Sequence, residues 1–252
     1  MNPISIRGLT LGGGACRVIV PLVETTHAAI VRRAAQVAAL APDLLEWRAD
    51  WFDAVWDTPA LTACLHQLRA AVGELPLLVT FRTQREGGRQ PASPDTYERF
   101  CRIVCESGCA DLLDVELFTE DGTRQRIFDL AHAHGVRVVC SSHDFDKTPP
   151  RQEMVDRLCR MQALGADIAK LAVMPRSRQD VAALLAATAE MAELHPQTPV
   201  ITMSMGALGQ ISRMAGGTFG SAATFAAAGS ASAPGQPTLE DVRAMLALLE
   251  GR

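Results

Sequence analysis

The sequence predicts an α/β protein built as one (β/α)8 barrel, the TIM-barrel architecture, with residues 1–252 forming a single domain. Three observations support this prediction. Short apolar runs rich in β-branched residues alternate with longer helical stretches rich in Ala, Leu and Arg. The apolar runs start roughly 20 to 35 residues apart, which is the spacing of repeated βα units. No linker or low-complexity block divides the chain, and its length suits a barrel of eight such units.

The elements are predicted in chain order from these apolar and helical runs. The predicted strands are Arg17–Val23, Leu44–Arg48, Leu77–Phe81, Leu112–Glu116, Arg137–Ser142, Asp167–Val173, Val200–Met205 and Gly220–Phe225. The helical patterns recognised between them are Thr26–Leu40, Asp95–Gly108, Gln125–His134, Arg151–Leu164 and Gln179–Leu194. Glycines 12–14 precede the first strand, so they do not match the phosphate-binding turn of a doubly wound sheet.

Composition and charge exclude several classes of function. The net charge of −4 and the scattered basic residues give no positive field for nucleic acid or for an acidic membrane surface. No stretch approaches the ~18 uninterrupted apolar residues of a membrane helix, and the first residues lack the apolar core of a signal peptide. We therefore expect a cytoplasmic protein that binds a small molecule.

Cysteine and histidine patterns predict neither disulfides nor a metal site. None of the seven cysteines forms a CxxC pair, and Cys101, Cys105 and Cys109 share one helix face as buried, reduced thiols. His132 and His134 lie late in a predicted helix, where histidines interact favourably with the helix dipole. No second cluster of ligands accompanies them, so we expect no metal.

Lys170 is the most informative residue, because it lies inside an apolar run and the chain has only one other lysine, Lys147. Burial of an ammonium favours the neutral amine, which is the form that attacks a carbonyl to give a Schiff base. The alternative is a lysine near a strand end that extends to water. The run alone leaves both interpretations open.

Ionisable side chains occur at the carboxyl ends of the predicted strands, where a barrel enzyme builds its active site. These residues are Glu46, Arg48, Arg82, Asp114, Glu116, His143, Lys170 and, in the loop after the seventh strand, Arg213. Arg48, Arg82 and Arg213 converging on one pocket would bind an anion, preferably a carboxylate. With His143 as an acid and base, the set predicts Schiff-base chemistry on a small keto acid.

Two loops at this end of the barrel are predicted to cover the site. Gln84–Asp95 contains two adjacent glycines and two prolines, and Gly229–Thr238 is small and polar. Ordinary surface loops have similar compositions, but their position favours a lid that closes over a substrate.

The chain resembles the type I 3-dehydroquinate dehydratases of the shikimate pathway. The resemblance rests on LLEWRADWF (44–52), LLVTFRTQREGG (77–88), DLLDVELF (111–118), SSHDFDKTP (141–149), ADIAKLAVMP (166–175), ITMSMGALGQISR (201–213) and FGSAATFAAAGSASAPGQ (219–236). It implies a barrel, expected to be a homodimer without metal or organic cofactor, that dehydrates 3-dehydroquinate to 3-dehydroshikimate.

The resemblance also implies roles for individual residues. Lys170 forms an imine with the C3 ketone, and His143 removes the C2 proton and assists loss of the C1 hydroxyl. Glu86 lies near His143, where it orients the ring and raises the pKa of His143. The substrate carboxylate is bound by Arg213, Ser232 and Gln236. The ring hydroxyls are contacted by Glu46, Arg48 and Arg82.

One departure and three alternatives remain at this stage. Pro21 occupies a position where some family members have a serine that can contact substrate, and a proline offers neither a hydroxyl nor an N–H. A class I aldolase of the same fold would use the same lysine, and a non-catalytic barrel could bind a small acid. A nucleophilic Cys140 is disfavoured, because alternation along the strand directs it away from the His143 face.

Overall fold

The computed structural model describes residues 1–229 and 232–251, which form an eight-stranded parallel barrel surrounded by helices. The strands are β1 (Ile4–Ile6), β2 (Leu9–Leu11), β3 (Arg17–Leu22), β4 (Leu44–Arg48), β5 (Leu77–Thr80), β6 (Leu112–Glu116), β7 (Arg137–Asp144), β8 (Ile168–Val173), β9 (Val200–Ser204) and β10 (Ala223–Phe225). The helices are α1 (His27–Ala39), α2 (Thr58–Val72), α3 (Pro94–Glu106), α4 (Asp121–Ala133), α5 (Arg151–Ala163), α6 (Arg178–Leu194), α7 (Gln210–Ala215) and α8 (Leu239–Glu250). Within the described ranges, none of these helices is long and apolar enough to cross a membrane.

The barrel strands β3 to β9 pair in sequential order, and β10 pairs with β3. The ring closes between β9 and the residues before β10, where Val200 and Ser221 form a parallel bridge. The Ala222 N–H donates to the Val200 carbonyl over 2.7 Å at this closure. The predicted (β/α)8 barrel is therefore confirmed.

Two predicted strands differ from the observed ones by two or three residues, and four others differ by one residue at one end. The eighth was predicted from Gly220, but β10 begins at Ala223 because Gly220 has a φ of 100° and ends a short 3-10 turn. This left-handed backbone conformation, which glycine adopts readily and other residues do not, is incompatible with an extended strand at Gly220. The fifth was predicted to end at Ser142, but β7 continues to Asp144 because His143 and Asp144 pair with β8.

The structure adds elements that the helix and strand patterns did not identify. Helices α2 and α8 complete the outer layer. The antiparallel hairpin of β1 and β2 covers the amino-terminal end of the barrel, where Ile6 and Leu11 pack into the interior cluster. Because these side chains cover the floor of the barrel, the interior opens only toward the carboxyl ends of the strands.

Side chains fill the barrel interior in layers contributed by alternate strands, as the fold requires. The lowest layer is Leu44, Leu112, Ile168 and Ala223, and the next is Ile19, Leu78, Val139 and Ile201. In the third layer the same alternation places Glu46, Asp114, Lys170 and Phe225. The third layer is thus mostly charged, whereas the two layers below it are apolar. This difference marks the third layer as part of a candidate functional site.

The opposite faces of the strands pack against the helices in a second hydrophobic cluster. Cys140 belongs to this cluster, and burial raises the pKa of its thiol, so the thiolate of a nucleophile is disfavoured there. Cys101, Cys105 and Cys109 are buried free thiols, as predicted. Pro21 lies in the buried strand β3 opposite Glu46 and does not line the cavity described below.

Three aspartates tie neighbouring strands together at the amino-terminal end of the barrel. Asp43, Asp111 and Asp167 each precede an even-numbered barrel strand and accept a hydrogen bond from a backbone N–H of the preceding strand. Each also contacts at least one arginine. Asp111 binds both Arg7 and Arg69, at 2.6 and 2.7 Å, and so joins the hairpin to the barrel.

We expect Asp111→Ala to lower the free energy of unfolding by about 2–4 kcal/mol, because it removes the acceptor of the Leu77 N–H and the carboxylate that Arg7 and Arg69 share. Urea unfolding measures this loss. Glu74→Gln is the matched control, since Glu74 contacts the same Arg7 but its side chain is 91% exposed. Its cost should stay within about 0.5 kcal/mol; equal losses in the two variants would contradict this account.

Candidate active site

A cavity of about 160 Å³ opens at the carboxyl ends of the barrel strands. Its lining includes the nine residues to which the family resemblance gave a role: Glu46, Arg48, Arg82, Glu86, His143, Lys170, Arg213, Ser232 and Gln236. Asp114 and Glu116, the other two ionisable residues predicted at the strand ends, do not line it. Apolar side chains complete the wall, namely Phe145, Met203, Met205 and Phe225 among others. A cavity this small and this charged suits a small polar ligand rather than a nucleotide.

Lys170 is 4% exposed and faces the barrel interior from β8. Its Nζ lies 3.5 Å from Glu46 Oε1 and 3.4 Å from Asp114 Oδ2. The amine also lies 4.5 Å from the centre of the Phe225 ring. Two carboxylates and the face of one aromatic ring thus surround the amine. Lys170 does not reach out to solvent, so the alternative of a strand-end lysine is wrong.

Arg82 forms the centre of a buried ion network. Its guanidinium contacts three carboxylates, Glu86 at 3.3 Å, Asp114 at 2.8 Å and Glu116 at 3.1 Å. The Ser141 hydroxyl lies 2.9 Å from the same group. Burial alone would lower the pKa of Arg82, but the carboxylates raise it overall. The charge of Arg82 is therefore balanced within the protein.

Glu86 holds His143 through two contacts to one carboxylate oxygen. The His143 backbone N–H donates to Oε2 over 3.1 Å, and the ring Nδ1 lies 3.0 Å from the same atom. Arg82 also donates to Oε2. Because Oε2 accepts hydrogen bonds from its other neighbours, we assign the ring proton of His143 to Nδ1, which donates to the same oxygen. Nε2 is then free to accept a proton. Glu86 is therefore placed to orient the ring, as expected.

The pKa of His143 is lowered overall, so the upward effect expected from Glu86 does not determine its net value. Burial and the nearby cations, Arg82 first among them, lower the pKa of His143 well below its usual 6.5. Burial also raises the pKa of Glu86, and Glu116 and Asp114 add to this effect against the opposing influence of Arg82. The attraction of one carboxylate is thus outweighed, and the imidazole at rest is neutral and ready to act as a base.

Arg213 is the cation in this cavity that lacks a carboxylate partner among the described residues. It is 1% exposed, and Nε and Nη2 have no hydrogen-bond acceptor, while Nη1 contacts only Met203 Sδ at 3.5 Å. Burial lowers the pKa of Arg213 to about 10, which still leaves it charged at neutral pH. The Gln236 Nε2 is also buried without an acceptor. These unused donors provide a site for a planar anion.

Asp50 is a residue of the site that sequence reasoning missed. It is fully buried and holds the Arg48 guanidinium with both oxygens, at 2.8 and 2.9 Å. It also accepts the backbone N–H groups of Arg82 and Arg89. The signal was present in the sequence, since Asp50 follows Arg48 by two positions.

The first predicted lid, Gln84–Asp95, is anchored in its first half. Gly88 packs against the Arg82 carbonyl so closely that a Cβ would lie 1.8 Å from the oxygen. Gln90 Nε2 donates to the carbonyls of Asp50 and Phe52, both over 3.1 Å. We interpret this segment as a fixed support for Glu86.

The second predicted lid, Gly229–Thr238, includes residues 230 and 231, which lie outside the described residues. Its remaining part docks on the turn after β9, where the Gly206 N–H donates to the Pro234 carbonyl over 3.1 Å. Within the loop, Gln236 Oε1 accepts the Ser232 N–H over 2.9 Å. This docking brings Ser232 and Gln236 to the cavity that also contains Arg213.

Of the two histidines considered for a metal site, His132 contacts an aspartate. His132 Nε2 lies 2.9 Å from Asp167 Oδ2, at the opposite end of the barrel from the cavity. Among the described residues, no group of three or more His, Cys, Asp or Glu side chains has the arrangement of a metal site.

Comparison with known proteins identifies a family. The family model of type I 3-dehydroquinase matches residues 18–252. A relative from Syntrophotalea carbinolica, named 3-dehydroquinate dehydratase, is 46% identical over 249 residues, which cover 99% of this chain and 98% of that protein. A protein of the same name from Listeria innocua is also 46% identical, with the same coverage.

Solved structures agree with the sequence comparison. A type I 3-dehydroquinate dehydratase from Clostridium difficile, solved with covalently modified comenic acid, superposes with a TM-score of 0.96 at 41% identity. The match covers 99% of this chain and 98% of that one. The 3-dehydroquinate dehydratase from Geobacillus kaustophilus gives a TM-score of 0.95 at 40% identity, covering 99% of this chain and 97% of that one.

We expect the His143 ring to stay neutral at pH 6.5 and to become charged only well below it. The reason is the lowered pKa, which follows from burial and the surrounding cations. Nitrogen-15 NMR of the imidazole measures this, with the resonance assigned by its loss in His143→Gln. Because the unfolded chain protonates first, this histidine should reduce stability progressively as the pH falls below about 6.5. A ring already charged at pH 7 would contradict the prediction.

Proposed function

The chain belongs to the type I 3-dehydroquinase family, and we propose that it removes water from 3-dehydroquinate through a covalent imine on Lys170. The product is 3-dehydroshikimate, an intermediate of the shikimate pathway. The single observation that carries the mechanism is Lys170, a buried lysine in the charged interior layer at the cavity. We also propose a cytoplasmic homodimer, as expected for this family.

The unused donors of the cavity support the orientation of the substrate. Its carboxylate binds Arg213 and Gln236, whose free N–H groups lack acceptors, with Ser232 beside them. The ring hydroxyls meet Glu46, Arg48 and Arg82, which line the rest of the cavity. A carboxylate accepts hydrogen bonds from hydroxyls, and a guanidinium donates to their oxygens. This orientation directs the C3 ketone toward Lys170.

Imine formation begins when Lys170 Nζ gives up a proton and attacks C3. The carbonyl oxygen then leaves as water, and C3 becomes double-bonded to a positively charged nitrogen. His143, neutral at rest, accepts and returns the protons that these steps move. The iminium withdraws electrons from C2 and makes its hydrogen acidic.

Elimination then proceeds through an enamine. His143 Nε2 removes the C2 proton, and the C–H electrons form a C2=C3 bond while the C=N electrons move to nitrogen. When those electrons return and re-form the C=N bond, the C2=C3 electrons form a C1=C2 bond and the C1–O bond breaks. Protonated His143 gives its proton to the departing hydroxyl to form water. Hydrolysis of the remaining iminium releases the product and restores Lys170.

The two alternative functions, a class I aldolase and a non-catalytic binding barrel, have weaker support. A class I aldolase acting on a sugar phosphate would need backbone amides that surround a phosphate, whereas Arg213 and Gln236 suit a planar carboxylate. A purely binding barrel has no use for a buried lysine near an oriented neutral histidine. Both alternatives predict outcomes that differ in the tests below.

We expect borohydride added with 3-dehydroquinate to trap a reduced adduct on Lys170, because borohydride reduces the imine to a stable amine. Intact mass and peptide mapping measure it. Lys170→Ala should give neither adduct nor turnover. Lys147→Ala is the matched control, since Lys147 is the other lysine of the chain and is exposed; it should retain both.

Substantial turnover by Lys170→Ala would rule out covalent catalysis at this residue. Retro-aldol cleavage of sugar phosphates exceeding the dehydration rate would overturn the proposed substrate. Absence of any adduct in the folded wild-type protein would favour the binding barrel.

We expect Arg213→Gln to raise KM for 3-dehydroquinate by about 10- to 100-fold, with a smaller effect on kcat, because a charge-assisted contact to the substrate carboxylate is lost. Steady-state kinetics measure both constants. Arg102→Gln, a substitution on the exposed face of α3, is the control and should change neither. An unchanged KM in Arg213→Gln would refute the carboxylate contact.

A further inference from the structure

Asp114 is the most buried charged group beside Lys170, and the mechanism above gives it no role. It is 0% exposed and does not line the cavity. Its Oδ2 lies 3.4 Å from Lys170 Nζ. A substrate hydroxyl therefore has no route to this carboxylate, although the reacting nitrogen is in direct contact with it.

The second oxygen of Asp114 is held in place by two donors. Oδ1 accepts from Arg82 Nη2 over 2.8 Å and from the Ser141 hydroxyl over 2.6 Å. These bonds fix the plane of the carboxylate and leave Oδ2 directed at Lys170. A group held this firmly does not have to reorganise when charge develops beside it.

Asp114 is also an anion throughout the working pH range. Burial alone would raise its pKa, but Arg82 and Lys170, with the hydrogen bond from Ser141, lower it overall. The negative charge therefore persists when neighbouring groups exchange protons. The residue is suited to stabilising a cation rather than to transferring a proton.

We propose that Asp114 is the counter-ion of the Schiff-base nitrogen and keeps the imine in its protonated, electron-withdrawing form. The proposal rests on the Lys170 imine proposed above. After water leaves, the nitrogen retains one hydrogen and a positive charge, and this N–H donates to Asp114 Oδ2. A neutral imine would have no positive charge to receive the C2–H electrons, so elimination would stall.

The charge balance of each step agrees with this role. The nitrogen is cationic in both iminium species, before C2 deprotonation and after loss of the C1 hydroxyl, and neutral only in the enamine between them. Protons pass through His143, while Asp114 binds no proton at any step. No oxidant, reductant or further reactant is needed.

Glu46, the other carboxylate near Lys170, is less suited to this role. Its Oε1 lies 3.5 Å from Nζ and accepts the Thr80 hydroxyl over 2.9 Å. Unlike Asp114, it lines the cavity, where substrate hydroxyls compete for its oxygens. Once substrate is bound, Asp114 is the carboxylate committed to the nitrogen.

The test compares two reagents over a range of pH in the presence of 3-dehydroquinate. Cyanoborohydride reduces the protonated iminium, whereas borohydride also reduces the neutral imine, and intact mass quantifies each adduct. In Asp114→Asn the pH at which the cyanoborohydride adduct is half lost should fall by about 1–2 units. Its borohydride adduct should persist, and kcat should drop about 10- to 100-fold.

Glu46→Gln is the matched control, because it neutralises the other carboxylate at a similar distance. It should raise KM while leaving the pH limit of cyanoborohydride trapping at the wild-type value. A fall of that limit in Glu46→Gln by the amount expected for Asp114→Asn would assign the counter-ion to Glu46 and overturn the proposal. This result does not depend on whether Asp114→Asn folds.

A folded Asp114→Asn with the wild-type pH limit would also overturn the proposal, and the imine would stand. Absence of an adduct with either reagent in the wild-type protein would instead refute the proposed function. A loss of packing alone would lower kcat or stability without moving the pH limit, so the two causes are distinguishable.

Discussion

The site depends on one buried interaction, the contact of the Arg82 guanidinium with Glu86, Asp114 and Glu116. A buried cation is strongly unfavourable unless it is paired and hydrogen-bonded, so the three carboxylates and the guanidinium require one another. The same network fixes the two groups to which the proposed mechanism assigns the chemistry. Glu86 extends from it to His143, and Asp114 extends from it to Lys170. One side chain thereby sets the positions of both the proposed base and the proposed nucleophile.

Much of this arrangement could be predicted from the sequence because strand register has a fixed period of two. One pattern occurs in the segments DLLE (43–46), DLLD (111–114) and DIAK (167–170). Each begins with an aspartate, continues with two apolar residues and ends with an ionisable residue. In the structure each aspartate accepts a hydrogen bond from a backbone N–H of the neighbouring strand, at the amino-terminal end of the barrel. The ionisable residue at the end of each segment belongs to the charged third layer of the interior. A period of two puts Glu46, Asp114 and Lys170 on the same face as Leu44, Leu112 and Ile168, which pack inside the barrel.

What could not be predicted is which charges pair with one another. Arg48, Arg82 and Arg213 look alike in sequence, and all three were expected to bind an anion. Asp50 neutralises Arg48, three carboxylates neutralise Arg82, and only Arg213 is left with unused donors. These partners come from different strands and loops, so pairing depends on tertiary distances that local pattern does not encode. The N-terminal hairpin escaped prediction for a similar reason, since strands of three residues carry little periodic signal.

The surplus positive charge at Arg213 connects substrate binding to the strength of the base. Arg213 is among the cations that lower the pKa of His143. A substrate carboxylate bound at Arg213, as proposed above, would offset that charge. It would raise the affinity of His143 for a proton at the stage when a base is needed. Before a substrate binds, burial and the surrounding cations keep this histidine neutral. On this view the substrate completes the electrostatic balance of the proposed site, and an analogue without the carboxylate would bind beside a weaker base.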